Sequence, residues 1–177
     1  MAISVPESVR ESLAGYLKLC SAVAPEHRWV RPESLHLTLR FLGQIPEELV
    51  ASLAAQLGQI PIRPFQVALG ALGTFGGRAP RVTWLSLEQG GDGIRELAAA
   101  VESRCITSGA LSEGVARPGT PHPHLTLGRS RARYGSALPA MPEPPALPGW
   151  TVDSFALYRS RLGREGAEYT VLETFRS

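Results

Sequence analysis

The feature that most constrains the fold of this chain is a repeated tetrapeptide. His-Leu-Thr-Leu occurs at residues 36–39 and again at 124–127, a separation of 124 − 36 = 88 residues in a chain of 177. In both copies leucine alternates with a polar residue, which is typical of a strand with one buried face. The repeat therefore predicts two half-buried strands, and its spacing of half the chain predicts two related halves that share one cleft.

Each copy of the repeat would present an imidazole and a hydroxyl together. His36 and Thr38, like His124 and Thr126, are two residues apart, or roughly 6–7 Å along a strand. Attack of water on a phosphodiester needs one group to accept the water's proton and another to protonate the departing oxygen. Because imidazole titrates near pH 6.5, one ring can be neutral while the other is protonated. The repeat thus predicts a phosphodiester-cleaving site whose threonine hydroxyls donate hydrogen bonds to the phosphate.

Arginines near the two copies are candidates for binding that phosphate. Arg129 follows His124 by five residues, an odd spacing, but strand end and twist can still bring its forked guanidinium to the anion. Arg40 should share the face of Thr38, although salt bridging or solubility explains it equally well. A net charge of +2 does not mark the whole chain as a nucleic-acid binder. Between Glu113 and Glu143, however, no acid occurs, and a local positive potential is predicted from Arg117, Arg129, Arg131 and Arg133.

Simpler explanations of these residues also exist. A single His-x-Thr on a strand is most often a polar outer face without a catalytic role, and it is the recurrence that favours chemistry. His122 and His124 would suit a metal pair, but the sequence offers no nearby carboxylate or cysteine to complete a coordination shell. The other candidates are expected to be structural, with His27 at the surface and core or rim packing for Trp29, Trp84 and Trp150.

The remaining sequence predicts helices interleaved with strands. Apolar residues at spacings of three and four predict a helix from Pro6 to near Ala24, a second from Pro46 to near Gly58, and a third with Asp92 as N-cap that ends near Gly109. Period-two patterns predict strands over 2–5, 35–41, 65–69, 82–87, 123–129, 150–158 and 168–175. In the strand 35–41 the predicted buried face consists of Leu35, Leu37, Leu39 and Phe41. Prolines make 138–148 an extended connection.

Composition places the chain among ordinary globular proteins. Hydrophobic residues make up 44% and charged residues 19%, and 177 residues suffice to bury a core without disulfides or a structural metal. Cys20 and Cys105 lie in predicted helices without a Cys-x-x-Cys spacing, so they are expected to be buried thiols. No basic and apolar leader and no apolar run of membrane-spanning length occurs, which predicts a cytoplasmic protein.

Together these motifs resemble those of the two-histidine (2H) phosphoesterases, and in particular the RNA 2′,3′-cyclic phosphodiesterases also called 2′-5′ RNA ligases. The likeness extends over residues 29–43, 80–85, 122–129, 155–160 and 168–172. It implies an α+β bilobed fold in which two antiparallel sheets are related by a pseudo-twofold axis, with helices outside and a central cleft. Residues 1–177 would form a single domain of two intertwined lobes. Only the opening strand, which is short and polar in its middle, departs from the family pattern.

The resemblance also implies roles for the residues. His36 would be the proton donor to the departing 3′ oxygen and His124 the proton acceptor that activates water, leaving a 2′-phosphate. Thr38, Thr126 and Arg129 would bind the phosphate. No metal or cofactor is expected, the partner would be RNA with a 2′,3′-cyclic phosphate end, and a monomer is the default. Three questions stay open: whether hydrolysis or 2′-5′ ligation matters biologically, whether the substrate is another small cyclic phosphate, and whether the protein is a non-catalytic RNA-end-binding module.

Overall fold

The structure, a computed structural model, describes residues 1–112, 122–163 and 166–177. These described residues contain the α-helices α1 (Glu7–Val23), α2 (Glu48–Leu57) and α3 (Gly91–Thr107). The strands found in the same ranges are β1 (Ala2–Ser4), β2 (His27–Trp29), β3 (His36–Thr38), β4 (Phe65–Phe75), β5 (Val82–Gln89), β6 (Leu125–Ser130), β7 (Trp150–Val152), β8 (Ser154–Gly163) and β9 (Gly166–Arg176). None of the helices described is both long and apolar enough to cross a membrane.

The strands form two antiparallel arms that meet at the two copies of the repeat. Their order is β7-β4-β5-β6-β3-β1-β8-β9, with β2 also paired to β6. Between the arms β3 and β6 run antiparallel, and their register places Leu37 opposite Leu125. These two leucines occupy the same position in the two copies, so a local twofold axis, called here the dyad, passes between them. The predicted α+β fold is confirmed, and the two antiparallel sheets predicted for its halves are joined through β3 and β6 into one. The assignment of 1–177 to a single domain stays a prediction.

The leucines of the repeat anchor this crossing in the core. Leu37, Leu39, Leu125 and Leu127 are at most 1% exposed and belong to one apolar cluster that includes residues of α1, α2 and α3. As predicted, the buried stripe of α1 contains Val9, Leu13, Leu17 and Cys20, and that of α3 contains Ile94, Leu97, Ala98, Val101 and Cys105. Since this cluster covers the leucine face, the opposite, polar face of β3 and β6 is free to form a site.

The first motif strand is shorter than predicted, and two residues that follow it, Arg40 and Phe41, therefore have environments other than those predicted. β3 ends at Thr38, and the next two backbone N–H groups, of Leu39 and Arg40, both donate to the carbonyl of Met1. Phe41 is therefore 62% exposed rather than buried. The prediction that Arg40 shares the face of Thr38 is also wrong, because its side chain is buried and lies 3.4 Å from the Glu102 carboxylate of α3. Its role is the salt bridge.

Three other local predictions were also wrong. His27 is 2% exposed instead of lying at the surface, because the three-residue β2 pairs with β6 and places His27 opposite Ser130. Asp92 is not the N-cap: Gly90, at a φ of 89°, precedes a helix that starts at Gly91, and Asp92 instead pairs with Arg95 within the first turn. β4, predicted over 65–69, continues to Phe75.

Candidate active site

The four polar side chains of the repeat lie on one face of the sheet around the dyad. Carrying the Leu37–Leu125 register one residue in each direction places His36 opposite Thr126 and Thr38 opposite His124. Side chains at such opposed positions project to the same face, and diagonal neighbours such as the two histidines have Cα atoms roughly 7–8 Å apart. All four are half-buried. The structure thus brings together the four motif residues in the arrangement that an anion between them requires.

Both imidazoles are oriented by the same backbone contact. His36 Nδ1 lies 2.8 Å from the carbonyl oxygen of Ser34, and His124 Nδ1 lies 2.7 Å from that of His122. A carbonyl oxygen only accepts, so Nδ1 carries a proton in both rings and donates it. Each Nε2 is then left for proton transfer, as an acceptor in the neutral ring and a donor in the charged one. Two residues before each motif histidine, the chain therefore supplies its orienting group.

Burial also tunes the two rings. Desolvation lowers the pKa of His36 below its ordinary value of 6.5. The hydrogen bond to Ser34 opposes this shift, and the positive charges of the N-terminal amine, Arg129 and His124 add to it. Desolvation likewise lowers the pKa of His124, with the hydrogen bond to His122 acting in the opposite direction and His122 and Arg129 adding to the lowering. Both rings accordingly favour the neutral form until an anion arrives, which would raise both pKa values.

Arg129 reaches this face because β6 contains a bulge. On the partner strand β5, Trp84 lies opposite Thr126 but the preceding Thr83 lies opposite Gly128, so Leu127 is an extra residue. A bulge of this kind shifts the alternation of side chains by one residue. Val82 shares the face of Trp84 and lies opposite Arg129. Arg129 therefore projects to the same face as Thr126 and His124, although it is five residues from His124. The guanidinium is exposed and acts electrostatically on both histidines.

Aromatic rings flank both histidines. The ring of Tyr169 lies 4.9 Å from that of His36, and Tyr158 lies 6.5 Å away with its hydroxyl hydrogen-bonded to Ser4. Around His124 the rings of Phe75 and Trp84 lie at 5.1 and 6.0 Å. These aromatic residues were not predicted as site residues, because the strands that carry them are distant in sequence from the histidines that they flank. Trp84 was assigned to packing, and its ring does pack closely against Gly73.

The other candidates lie away from this arrangement or add little to it. His122 is exposed, with its ring 6.4 Å from that of His124, and the described residues contain no cluster of three or more side chains able to hold a metal. Cys20 and Cys105 are buried free thiols, as predicted, and burial raises the pKa of Cys105 to about 11. Of the predicted basic interval, Arg117 lies outside the described residues.

Comparisons with known proteins point to one family. The model of the 2′-5′ RNA ligase superfamily matches residues 7–164. The RNA 2′,3′-cyclic phosphodiesterase of Thermus thermophilus is 37% identical over a match that covers 98% of this chain and 87% of that protein. The protein of the same name from Escherichia coli is 32% identical, covering 97% and 92%. A crystal structure of E. coli LigT in apo form superposes with a TM-score of 0.79 at 30% identity, covering 99% of this chain and 94% of that one.

Proposed function

The chain belongs to the 2′-5′ RNA ligase superfamily, and from that premise we propose that His36 and His124 act as acid and base in cleaving a 2′,3′-cyclic phosphate at an RNA end. The activity is that of a hydrolase, an RNA 2′,3′-cyclic phosphodiesterase. One observation carries the residue assignment: the two motif strands cross at Leu37 and Leu125, so that both histidines and both threonines surround one point.

The proposed reaction is an in-line displacement at phosphorus. The cyclic phosphate binds over the dyad, where Thr38, Thr126 and Arg129 donate hydrogen bonds to its non-bridging oxygens. His124 Nε2 accepts a proton from the attacking water, and His36 Nε2 donates one to the departing 3′ oxygen on the opposite side. The P–O3′ bond breaks as the new P–O bond forms, leaving a 2′-phosphate. The diagonal placement of the two rings supports attack and departure on opposite sides, and the family resemblance supports the direction.

Phosphorus NMR of a short RNA with a 2′,3′-cyclic end tests the proposed function. In buffer that contains a chelator, the cyclic resonance is expected to be replaced by that of a 2′-monoester, since no step uses a metal. A 3′-monoester would reverse the leaving-group assignment, and loss of turnover in the chelator would contradict the two-histidine mechanism. Binding of the RNA end without turnover over days would favour a binding module. Faster turnover of another small cyclic phosphate would change the assigned substrate.

An activated leaving group separates the acid from the base. A p-nitrophenyl phosphodiester releases p-nitrophenolate, which departs without needing a proton. On this substrate His36→Ala is expected to stay within about tenfold of the unchanged enzyme, whereas His124→Ala should still lose about 10²-fold or more, because water activation is still required. Release of p-nitrophenolate is followed by its absorbance. The opposite pattern, with only His124→Ala spared, would exchange the two roles.

The pH profile follows from the lowered pKa values of both histidines. The productive free enzyme has His36 protonated and His124 neutral, and since both pKa values lie below 6.5, this state is most populated below that pH. We expect kcat/KM to form a bell with its maximum below pH 6.5, falling at higher pH as His36 loses its proton. The kcat profile should lie at higher pH, because the bound anion raises both pKa values. A kcat/KM maximum above about pH 7.5 would contradict this.

The setting of the reaction is also part of the proposal. We propose a monomer that acts in the cytoplasm. The RNA substrate of the family and two buried free thiols, Cys20 and Cys105, support the location, and the monomer is the default. Light scattering of the purified protein at working concentration tests the monomer, and a dimer mass would contradict it.

A further inference from the structure

A second arginine lies beside Arg129 on the face that carries the histidines. β2 pairs with β6, and their register places Arg28 opposite Arg129. Opposed residues on antiparallel strands project to the same side, with Cα atoms roughly 4.5–5.5 Å apart. The burial pattern agrees: His27 on one side of Arg28 is buried, Trp29 on the other side packs against Gly128, and Arg28 itself is exposed. The bulge that turns Arg129 to the cleft face therefore does the same for its neighbour.

No carboxylate among the described residues compensates the charge of this pair. Within the described residues, the ion pairs are Arg31–Glu33, Arg40–Glu102 and Arg95–Asp92, so neither Arg28 nor Arg129 has a carboxylate partner there. Like charges directly opposite each other destabilise a sheet. Two opposed, exposed arginines without a carboxylate partner among the described residues, at the edge of the cleft, fit an anionic ligand that offsets this repulsion.

The position of Arg28 separates it from the reacting phosphate. β3 meets β6 at Leu125, whereas β2 meets β6 farther along, at residues 128–130. Arg129 interacts electrostatically with both histidines, and Arg28 stands one strand away from it. An anion on Arg28 is thus adjacent to the phosphate over the dyad but distinct from it, as successive phosphates of a nucleic-acid strand are.

We propose that Arg28 binds the phosphodiester that immediately precedes the cyclic end, so that the enzyme prefers an RNA chain to a nucleoside 2′,3′-cyclic phosphate. This inference rests on the proposed function and names a part of the substrate that is bound but not cleaved. An arginine contact to the backbone is independent of base identity. Arg28 would therefore strengthen binding of RNA ends of any sequence without taking part in proton transfer.

The test compares two substrates, a short RNA with a 2′,3′-cyclic end and the corresponding nucleoside 2′,3′-cyclic phosphate. Arg28→Ala is expected to lower kcat/KM about tenfold for the RNA and less than about twofold for the nucleoside, and to weaken the dependence of the RNA reaction on salt. Arg28→Lys, which keeps the charge, should retain most of the preference. The matched control is Lys18→Ala, which removes one exposed charge on α1 and should leave kcat/KM for both substrates unchanged.

The outcomes distinguish this inference from the function on which it rests. Equal kcat/KM for both substrates in the unchanged protein, or an equal loss on both with Arg28→Ala and Arg28→Lys, would overturn the role of Arg28 and leave the phosphodiesterase intact. Failure of the unchanged protein to hydrolyse either substrate would overturn the proposed function itself. Thermal melting of each variant identifies an unfolded Arg28→Ala protein, in which case Arg28→Lys decides.

Discussion

Replacing either His36 or His124 with alanine is expected to lower kcat for hydrolysis of an RNA cyclic end by about 10²- to 10⁴-fold. Each Nε2 is held in place by the bond from Nδ1 to a backbone carbonyl, and neither ring can replace the other because one must accept a proton while the other donates. Since the two act in the same step, the double variant should lose little more than the worse single variant. Initial rates by chromatography of the RNA products measure all three.

The matched control for these variants is His122→Ala. His122 is exposed, and alanine retains the carbonyl that orients His124. The variant removes a ring 4.8 Å from that of Trp84 and a contribution that lowers the pKa of His124, but no group that transfers a proton. We expect its kcat to remain within about threefold of the unchanged enzyme, a change smaller than the loss of any catalytic proton transfer. A loss as large as that of His124→Ala, together with inhibition by chelator, would instead support a metal held by the pair His122 and His124.

Replacing Arg129 with alanine is expected to lower kcat/KM for a nucleoside 2′,3′-cyclic phosphate by about 10²- to 10³-fold, the effect of removing one preorganised donor from a developing anion. The bulge at Leu127 aims this guanidinium at the face of the histidines, where charge builds on the phosphate oxygens as water attacks. The nucleoside substrate is used because it lacks the neighbouring phosphodiester assigned to Arg28, so the measurement reports on Arg129 alone.

Two companion variants make the Arg129 experiment specific. Arg129→Lys keeps the charge but loses the fork that binds two oxygens at once, so an intermediate loss is expected. Arg131→Ala removes an exposed arginine just after β6 and should change the rate by less than about twofold, as expected for a screened surface charge. If Arg129→Ala and Arg131→Ala had equal, small effects, Arg129 would supply general positive potential rather than a phosphate contact.

The parts of the fold that depend on local periodicity were predictable. Leucines at every second residue predicted the buried faces of β3 and β6, and spacings of three and four predicted the stripes of α1 and α3. The meeting of the two motif histidines followed from the repeat itself. In these regions the buried face is long enough, or is repeated, so that the pattern rises above chance.

The remaining features depend on contacts distant in sequence. His27 is buried because a three-residue strand pairs with β6, which lies far along the chain, and three residues are too few to reveal a period. Phe41 is exposed because the chain leaves the sheet after Thr38, where backbone N–H groups bond to Met1 instead. The cleft-facing position of Arg129 requires a bulge that becomes visible only when β5 is paired with β6. A sequence pattern contains none of these pairings.

The dyad between Leu37 and Leu125 has a consequence for the regiochemistry of cleavage. About that axis the two proton carriers are equivalent in position, and each is held by a carbonyl two residues earlier. A cyclic phosphate turned by half a revolution would offer its 2′ oxygen to the same donor. The choice between two product isomers must therefore come from groups that break the symmetry, among them Arg129, which the bulge turns to this face in one half alone, the tyrosines beside His36 and the Phe75–Trp84 pair beside His124. Replacing these aromatic residues is therefore expected to give a mixture of 2′- and 3′-phosphate products at an unchanged rate.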